Sequence, residues 1–215
     1  MPRGGVARND FTVMSSWEII GTVLGVFGVW LMIRQNIWGW PVGLVQVAVY
    51  AWVFFDAKLY SDTILQAAFF LIQAYGWWHW LRGARLRRAE RDREGEVPSA
   101  RLPVTRLSGP TIVRWIAVGA VLTAGWGLFM HRTTDAALPW WDAFILVFSL
   151  IAQWLQARKN IENWPAWVVV NTVAIGVYWA KDLRLTSGLY LIFWMMALWG
   201  WRAWARTMQE GKSGA

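Results

Sequence analysis

Seven stretches of the chain contain no Asp, Glu, Lys or Arg: residues 19–33, 35–55, 63–81, 115–130, 143–157, 163–180 and 185–201. They run from 15 to 21 residues. A membrane-spanning helix needs roughly 17–25 mostly apolar residues, and charged side chains that snorkel from the flanks extend a short core. The pattern predicts an all-α membrane protein of seven transmembrane helices with almost nothing outside the bilayer.

The chain also repeats itself. Shifted by 124 residues without gaps, Trp17 falls on Trp141, Trp30 on Trp154, Arg34 on Arg158, Asn36 on Asn160 and Trp40 on Trp164. Pro41 falls on Pro165, Phe69 on Phe193, Gly76 on Gly200, Trp77 on Trp201, Trp80 on Trp204 and Arg82 on Arg206. Each copy holds three spans, an odd number, so two copies in tandem would be inverted. The fourth span restores a common orientation and predicts a parallel 3+1+3 architecture of the sugar-facilitator kind, in which the two halves frame a site near mid-membrane. The expected segments are a tail at 1–16, repeat 1 at 17–82, a charged linker at 83–110, a linker helix at 111–131, repeat 2 at 139–206 and a second tail at 207–215.

Charge assigns the sides. Fifteen of the 21 Lys and Arg gather at one end: Arg34, the run from Arg82 to Arg114, Arg158, Lys159, Arg202, Arg206 and Lys212. Arg3, Arg8, Lys58, Arg132, Lys181 and Arg184 lie at the other. The positive-inside rule then puts the linker and the C-terminus in the cytoplasm and the N-terminus outside. With alternating Arg and acid plus Pro98 and Pro103, the linker reads as a solvated connector that could extend a cytoplasmic helix. The first apolar stretch follows a polar start without a small-residue cleavage site and is expected to remain as the first helix.

Composition narrows the chemistry. The chain is 57% hydrophobic and 16% charged, with 20 Trp, two His and no Cys. Disulfides, thiolate chemistry and Cys- or His-rich metal centres are therefore out of reach, and no cofactor is called for. The net charge of +8 reports topology rather than nucleic-acid binding. A retinal pigment would need a lysine in the last span, which 185–201 lacks. No HExxH, GxSxG or pair of intramembrane Asp suggests an enzyme.

Positions shared by the repeats are most simply structural. Pro41 and Pro165 open helices, and Trp40, Trp77, Trp80, Trp164, Trp201 and Trp204 fall near span ends, where aromatic belts sit. A substrate without internal symmetry is better read by polar and aromatic groups that differ between the halves. These are Gln46, Tyr50, Gln66, Gln73, Trp167, Asn171, Tyr190 and Trp194. Helical spacing pairs Gln46 with Tyr50, Trp167 with Asn171, Tyr190 with Trp194, and Gln66 with Gln73. Asn and Gln also serve as glue between membrane helices; as a cluster they favour a ligand.

Several motifs resemble the bacterial PnuC-type nicotinamide riboside transporters: Trp38 to Gly43, the run Leu65 to Phe69 leading to Tyr75-Gly76-Trp77, and Glu162-Asn163-Trp164 followed by Trp167 and Asn171. The resemblance covers residues 15–83 and 139–206. It implies a seven-helix homotrimer of the inner (cytoplasmic) membrane, surrounded by membrane lipid. It also implies facilitated diffusion of an unphosphorylated vitamin precursor that a cytoplasmic kinase then traps, with Gln66, Trp167 and Asn171 in the binding motif. Similar proteins carry thiamine or riboflavin. A cationic pyridinium suits aromatic faces, and amides suit a carboxamide and ribose. No Lys or Arg lies in any span core to hold a phosphate, and no acid lies there for proton coupling, which favours uniport. Thiamine's aminopyrimidine would want a carboxylate. Another small-solute facilitator and a small-molecule receptor are the rival readings.

Overall fold

The computed structural model describes residues 16–56, 58, 60–94 and 102–213. The expected tail at 1–16, with Arg3 and Arg8, lies almost wholly outside them, as does the middle of the linker with Pro98. Seven helices follow in order: α1 (Ser16–Ile33), α2 (Gly39–Asp56), α3 (Tyr60–Glu94), α4 (Gly109–Thr133), α5 (Pro139–Ala157), α6 (Asn163–Ala180) and α7 (Arg184–Ser213). Each contains one charge-free stretch almost whole. By hydropathy alone only α4 and α5 are long and apolar enough to cross a membrane. Helix α1 is apolar over the shorter stretch Ile19–Ile33. Helices α2, α3, α6 and α7 carry Trp, Tyr, Gly and Gln among their aliphatic residues, and an indole or phenol counts as polar on that scale although its body is apolar.

Proline or glycine sets most helix starts. Pro110 and Pro139 stand at first-turn positions of α4 and α5, and Pro41 and Pro165 in the first turns of α2 and α6, where a missing N–H breaks no helical bond. The stops obey the repeat. Among the described residues four non-glycines adopt positive φ: Gln35 (53°), Lys58, Lys159 and Asp182 (60° each). They form two pairs at the 124-residue offset, Gln35 with Lys159 and Lys58 with Asp182. Each left-handed residue costs about 1–2 kcal/mol, yet both halves keep it in both tight turns. After the first of these turns the same bond recurs, Asn36 N–H to the Leu31 carbonyl and Asn160 N–H to that of Leu155, both 2.9 Å.

Helix contacts run α1–α2–α3–α5–α6–α7 and back to α1. Among the described residues these six helices form a closed ring, with α1·α7 and α3·α5 as equivalent seams between the halves. Helix α4 packs on α5 alone, outside the ring. Val113, Ile116, Val121 and Leu122 on α4, with Ile64 and Leu71 on α3, stand exposed, which suits a lipid-facing surface.

The core concentrates at the arginine-rich end. Trp40, Trp80, Trp164 and Trp204 are buried there. Trp40 meets Trp80 edge-on at 5.4 Å, Trp164 meets Trp204 edge-on at 5.4 Å, and Trp80 touches Trp204 at 6.0 Å. The chain of rings crosses the bundle from α2 to α6. Glycine makes room for it: a Cβ on Gly200 would stand 2.5 Å from the Trp164 ring, and one on Gly76 would collide with Trp40. These four tryptophans are thus core residues rather than the belt their sequence positions suggest, whereas Trp77 and Trp201 are exposed.

The linker also departs from expectation. Helix α3 runs on to Glu94, and residues 102–107 lie as an extended strap across the α3·α5 seam. Thr105 forms a β-bridge with Asn160. Its N–H donates to the Lys159 carbonyl, the Ile161 N–H donates to its own carbonyl, and Asn160 Nδ2 donates to its Oγ1 at 2.9 Å. Val104 is buried and Leu102 presses on Gly83. Far from being solvated throughout, the linker ends in a stitched segment.

Candidate functional site

An α-helix rises about 1.5 Å per residue, which locates the polar residues relative to the tryptophan chain. Gln73 on α3 stands about 10 Å from Trp80, Gln46 on α2 about 9 Å from Trp40, and Asn171 on α6 about 10 Å from Trp164, all away from the arginine-rich end. They belong to one layer. Trp167, half-buried, packs against the tryptophan core, about one turn along α6 from Asn171.

Helix α5 adds residues that were not among the sequence candidates. Val147, Ile151 and Leu155 pack with Leu107, Trp115 and Phe148 on its α4 side. At about 100° per residue, Ser149, Gln153 and Gln156 fall on the opposite side, facing into the ring. All three are buried. Gln153 joins the amide layer, about 6 Å from Ala157, and Gln156 lies beside the tryptophans. The i, i+4, i+7 spacing of Ser149, Gln153 and Gln156 within a charge-free stretch was the available signal.

Asn171 (3% exposed), Gln156 (5%), Gln73 (7%) and Gln153 (8%) are the buried amides of the bundle apart from Asn163, which donates to the Asn160 carbonyl. Among the described residues no hydrogen bond joins the side-chain amide of any of these four to another residue, while the Asn163 Oδ1 is sealed without a partner. Buried polar groups are ordinarily paired, and none of these four amides is among the side-chain atoms sealed without a partner. Four such groups in adjoining layers of one ring are equipped for an occupant with its own donors and acceptors.

The remaining candidates divide. Gln46 and Tyr50 lie against α1, where Gly21 and Gly25 leave no space: a Cβ would stand 2.8 Å from the Tyr50 ring and 2.7 Å from the Gln46 amide. The Tyr50 hydroxyl lies 3.4 Å from Thr22 Oγ1. Tyr190 stacks on Tyr178 at 5.0 Å and meets Phe193 edge-on at 6.2 Å, and Phe193 reaches within 3.5 Å of where a Gly25 Cβ would be. Gln46, Tyr50 and Tyr190 therefore share the α1·α2·α7 corner beside the amide layer. Gln73 lies against Gly43 of α2. Gln66, half-buried, stands about 10 Å further from the tryptophans than Gln73. Trp194 is turned elsewhere: its N–H donates to Thr172 Oγ1 at 3.1 Å, on an exposed position of α6.

Charge is confined to the ends. Away from the arginine-rich end, Lys181 Nζ grips both carboxylate oxygens of Asp142 at 2.7 and 2.8 Å, tying α5 to the end of α6. The arrangement offers neutral hydrogen-bonding groups and aromatic faces and no charged group at the amide layer.

A family profile described as "Nicotinamide mononucleotide transporter" matches residues 15–206. The chain is 28% identical over 225 residues to the nicotinamide riboside transporter PnuC of Escherichia coli strain K12, covering 93% of this chain and 90% of that one. It is 30% identical over 187 residues to the riboflavin/roseoflavin transporter RibM of Streptomyces davaonensis, covering 87% and 83%. Among solved structures, the crystal structure of the vitamin B3 transporter PnuC shares its fold with a TM-score of 0.68 at 22% identity, over 89% of this chain and 81% of that one.

Proposed function

Because the chain belongs to the nicotinamide mononucleotide transporter family, we propose that it carries nicotinamide riboside across the bacterial inner membrane by facilitated diffusion. The observation that carries the reading is the layer of buried, partnerless amides: Gln73, Gln153 and Asn171, with Gln156 beneath. A carboxamide and ribose hydroxyls supply both donors and acceptors to such groups. The pyridinium cation finds aromatic faces in Trp167 and the Tyr50–Tyr190 corner, worth about 0.5–2 kcal/mol each.

The nucleoside is favoured over the mononucleotide of the family's description. A phosphate carries up to two negative charges, and burying it without a cation is costly. The charge-free span cores contain none. The same absence explains the trapping that completes the reading: once a cytoplasmic kinase phosphorylates the riboside, the product has no route back. Thiamine lacks the carboxylate its aminopyrimidine would pair with. Riboflavin is the second reading, supported by the 30% identity to RibM, since amides also match the imide edge of a flavin.

Uniport is the proposed coupling. The span cores hold no acid, and Asp142, at the start of α5, is already paired with Lys181. The cytoplasmic placing of the linker rests on the arginine excess. Assembly as a homotrimer is supported by α4, which stands outside the ring with an apolar face free for another copy or for lipid.

Titrating the purified protein with nicotinamide riboside, riboflavin, thiamine and nicotinamide mononucleotide tests the substrate. Nicotinamide riboside is expected to bind tightest, and the mononucleotide at least tenfold more weakly. Tighter binding of riboflavin would replace the first reading with the second. In proteoliposomes, uptake should stop at equal concentrations on both sides; accumulation driven by a pH or sodium gradient would exclude uniport.

A further inference from the structure

Two adjoining clefts open at the arginine-rich end, outside the ring, over the strapped seam. One, of about 530 Å³, is lined by His79, Thr105, Trp154, Arg158, Asn160 and neighbouring apolar side chains. The other, of about 440 Å³, shares His79, Leu102 and Arg158 with it and adds Arg82 and Trp78. Neither lining includes a carboxylate. Arg158 Nη1 donates to the Tyr75 hydroxyl at 2.9 Å, and Tyr75 stacks on Trp154 at 5.0 Å. This fixes the guanidinium and leaves most of its donor fork for another acceptor.

Depth identifies the acceptor. The charge-free stretch of α3 ends at Leu81 and that of α5 at Ala157, so Arg82 and Arg158 are the first charges beyond the hydrocarbon layer, at head-group level. The wall on the hydrocarbon side is apolar: Leu107, Trp115 and Leu155. Cationic donors at head-group depth above an apolar wall fit a phosphate diester that carries acyl chains, and basic pockets between membrane helices bind such head groups. The repeat provides the contrast. Arg34, the counterpart of Arg158, lies with its guanidinium 4.8 Å over the Trp30 ring and lines neither cleft. Arg82 also lies over a ring, Trp78 at 5.3 Å, but lines the cleft.

We propose that this cleft binds an anionic phospholipid through Arg82 and Arg158, seating one lipid on the strap that joins the two halves. The site is separate from the amide layer.

Native mass spectrometry of the detergent-purified protein tests it with phosphatidylglycerol and phosphatidylethanolamine of matched chains. Phosphatidylglycerol should be retained at least fivefold more than phosphatidylethanolamine. The preference should vanish in Arg82→Gln/Arg158→Gln, weaken in Arg82→Gln alone, and survive in Arg34→Gln. Nicotinamide riboside affinity, measured in parallel, should be unchanged in Arg82→Gln. Equal retention of the two lipids, an undiminished preference in the double variant, or displacement of the lipid by inorganic phosphate would each overturn the proposal.

Discussion

Trp80 and Trp204 each donate an indole N–H across the boundary between the halves, Trp80 to the Ala157 carbonyl and Trp204 to the Met32 carbonyl, both at 3.1 Å. The acceptors are last-turn carbonyls of α5 and α1, and that of Met32 also accepts the Gln35 N–H at 2.9 Å. The exchange is reciprocal, though one residue out of strict register, since Ile33 rather than Met32 is the counterpart of Ala157. Trp80→Phe strands a buried carbonyl and should cost about 1–3 kcal/mol, whereas Trp204→Phe leaves the Met32 carbonyl its Gln35 bond and should cost about 0.5–1.5 kcal/mol. Because the two rings touch, the double variant should depart from additivity by at least about 0.5 kcal/mol. Unfolding in detergent measures both effects.

The glycines under the tryptophans are equally constrained. Gly76→Ala and Gly200→Ala force a methyl into the Trp40 and Trp164 rings and should each destabilise by about 1–3 kcal/mol. Gly176→Ala and Gly188→Ala, with nothing within 4 Å of the new methyl, should be neutral or slightly stabilising in the same assay. Similar melting of all four variants would contradict the packing described.

Asn171→Leu and Gln153→Leu remove donors and acceptors from the amide layer. Each should weaken nicotinamide riboside binding about 5- to 150-fold, the equivalent of 1–3 kcal/mol. The protein itself should be no less stable, because neither amide has a partner to lose. Asn160→Leu should do the reverse: it leaves affinity intact and lowers the melting temperature by loosening the strap. Calorimetric titration and thermal unfolding of the three variants separate the effects.

For orientation, the native chain has no cysteine to confuse labelling. A cysteine at exposed Ala137, between α4 and α5, should react with an impermeant reagent applied to intact cells, and one at exposed Ser108 only after lysis. The opposite pattern would invert the assigned topology.

Much of this was legible in the sequence. Charge-free stretches located all seven helices because membrane burial excludes charge along a whole helix, and identities at one offset located the repeat. Burial within the bundle was harder to see. Trp40 and Trp80 sit at span ends, where lipid-facing and core tryptophans look alike; only a neighbouring glycine such as Gly76 marks a core ring. Gln153 and Gln156 went unnoticed beside the more conspicuous Asn171, although Val29 and Met32 oppose them in the other half. The strap was obscured because Leu102 and Val104 are isolated apolar residues among arginines, and their partner is the Lys159–Ile161 turn, far along the chain.

The strap makes two look-alike seams mechanically unequal. Parting α1 from α7 breaks the Trp204 bond and the 3.2 Å contact of Gln35 Nε2 with Thr207 Oγ1. Parting α3 from α5 breaks the Trp80 bond and also works against the Thr105 bridge and the Lys159 ammonium, which donates to Leu102 and sits 4.6 Å over the Trp80 ring. A twofold-repeated molecule thus has a bound spine and a free fore-edge. It can open like a book, along the edge with fewer bonds to break.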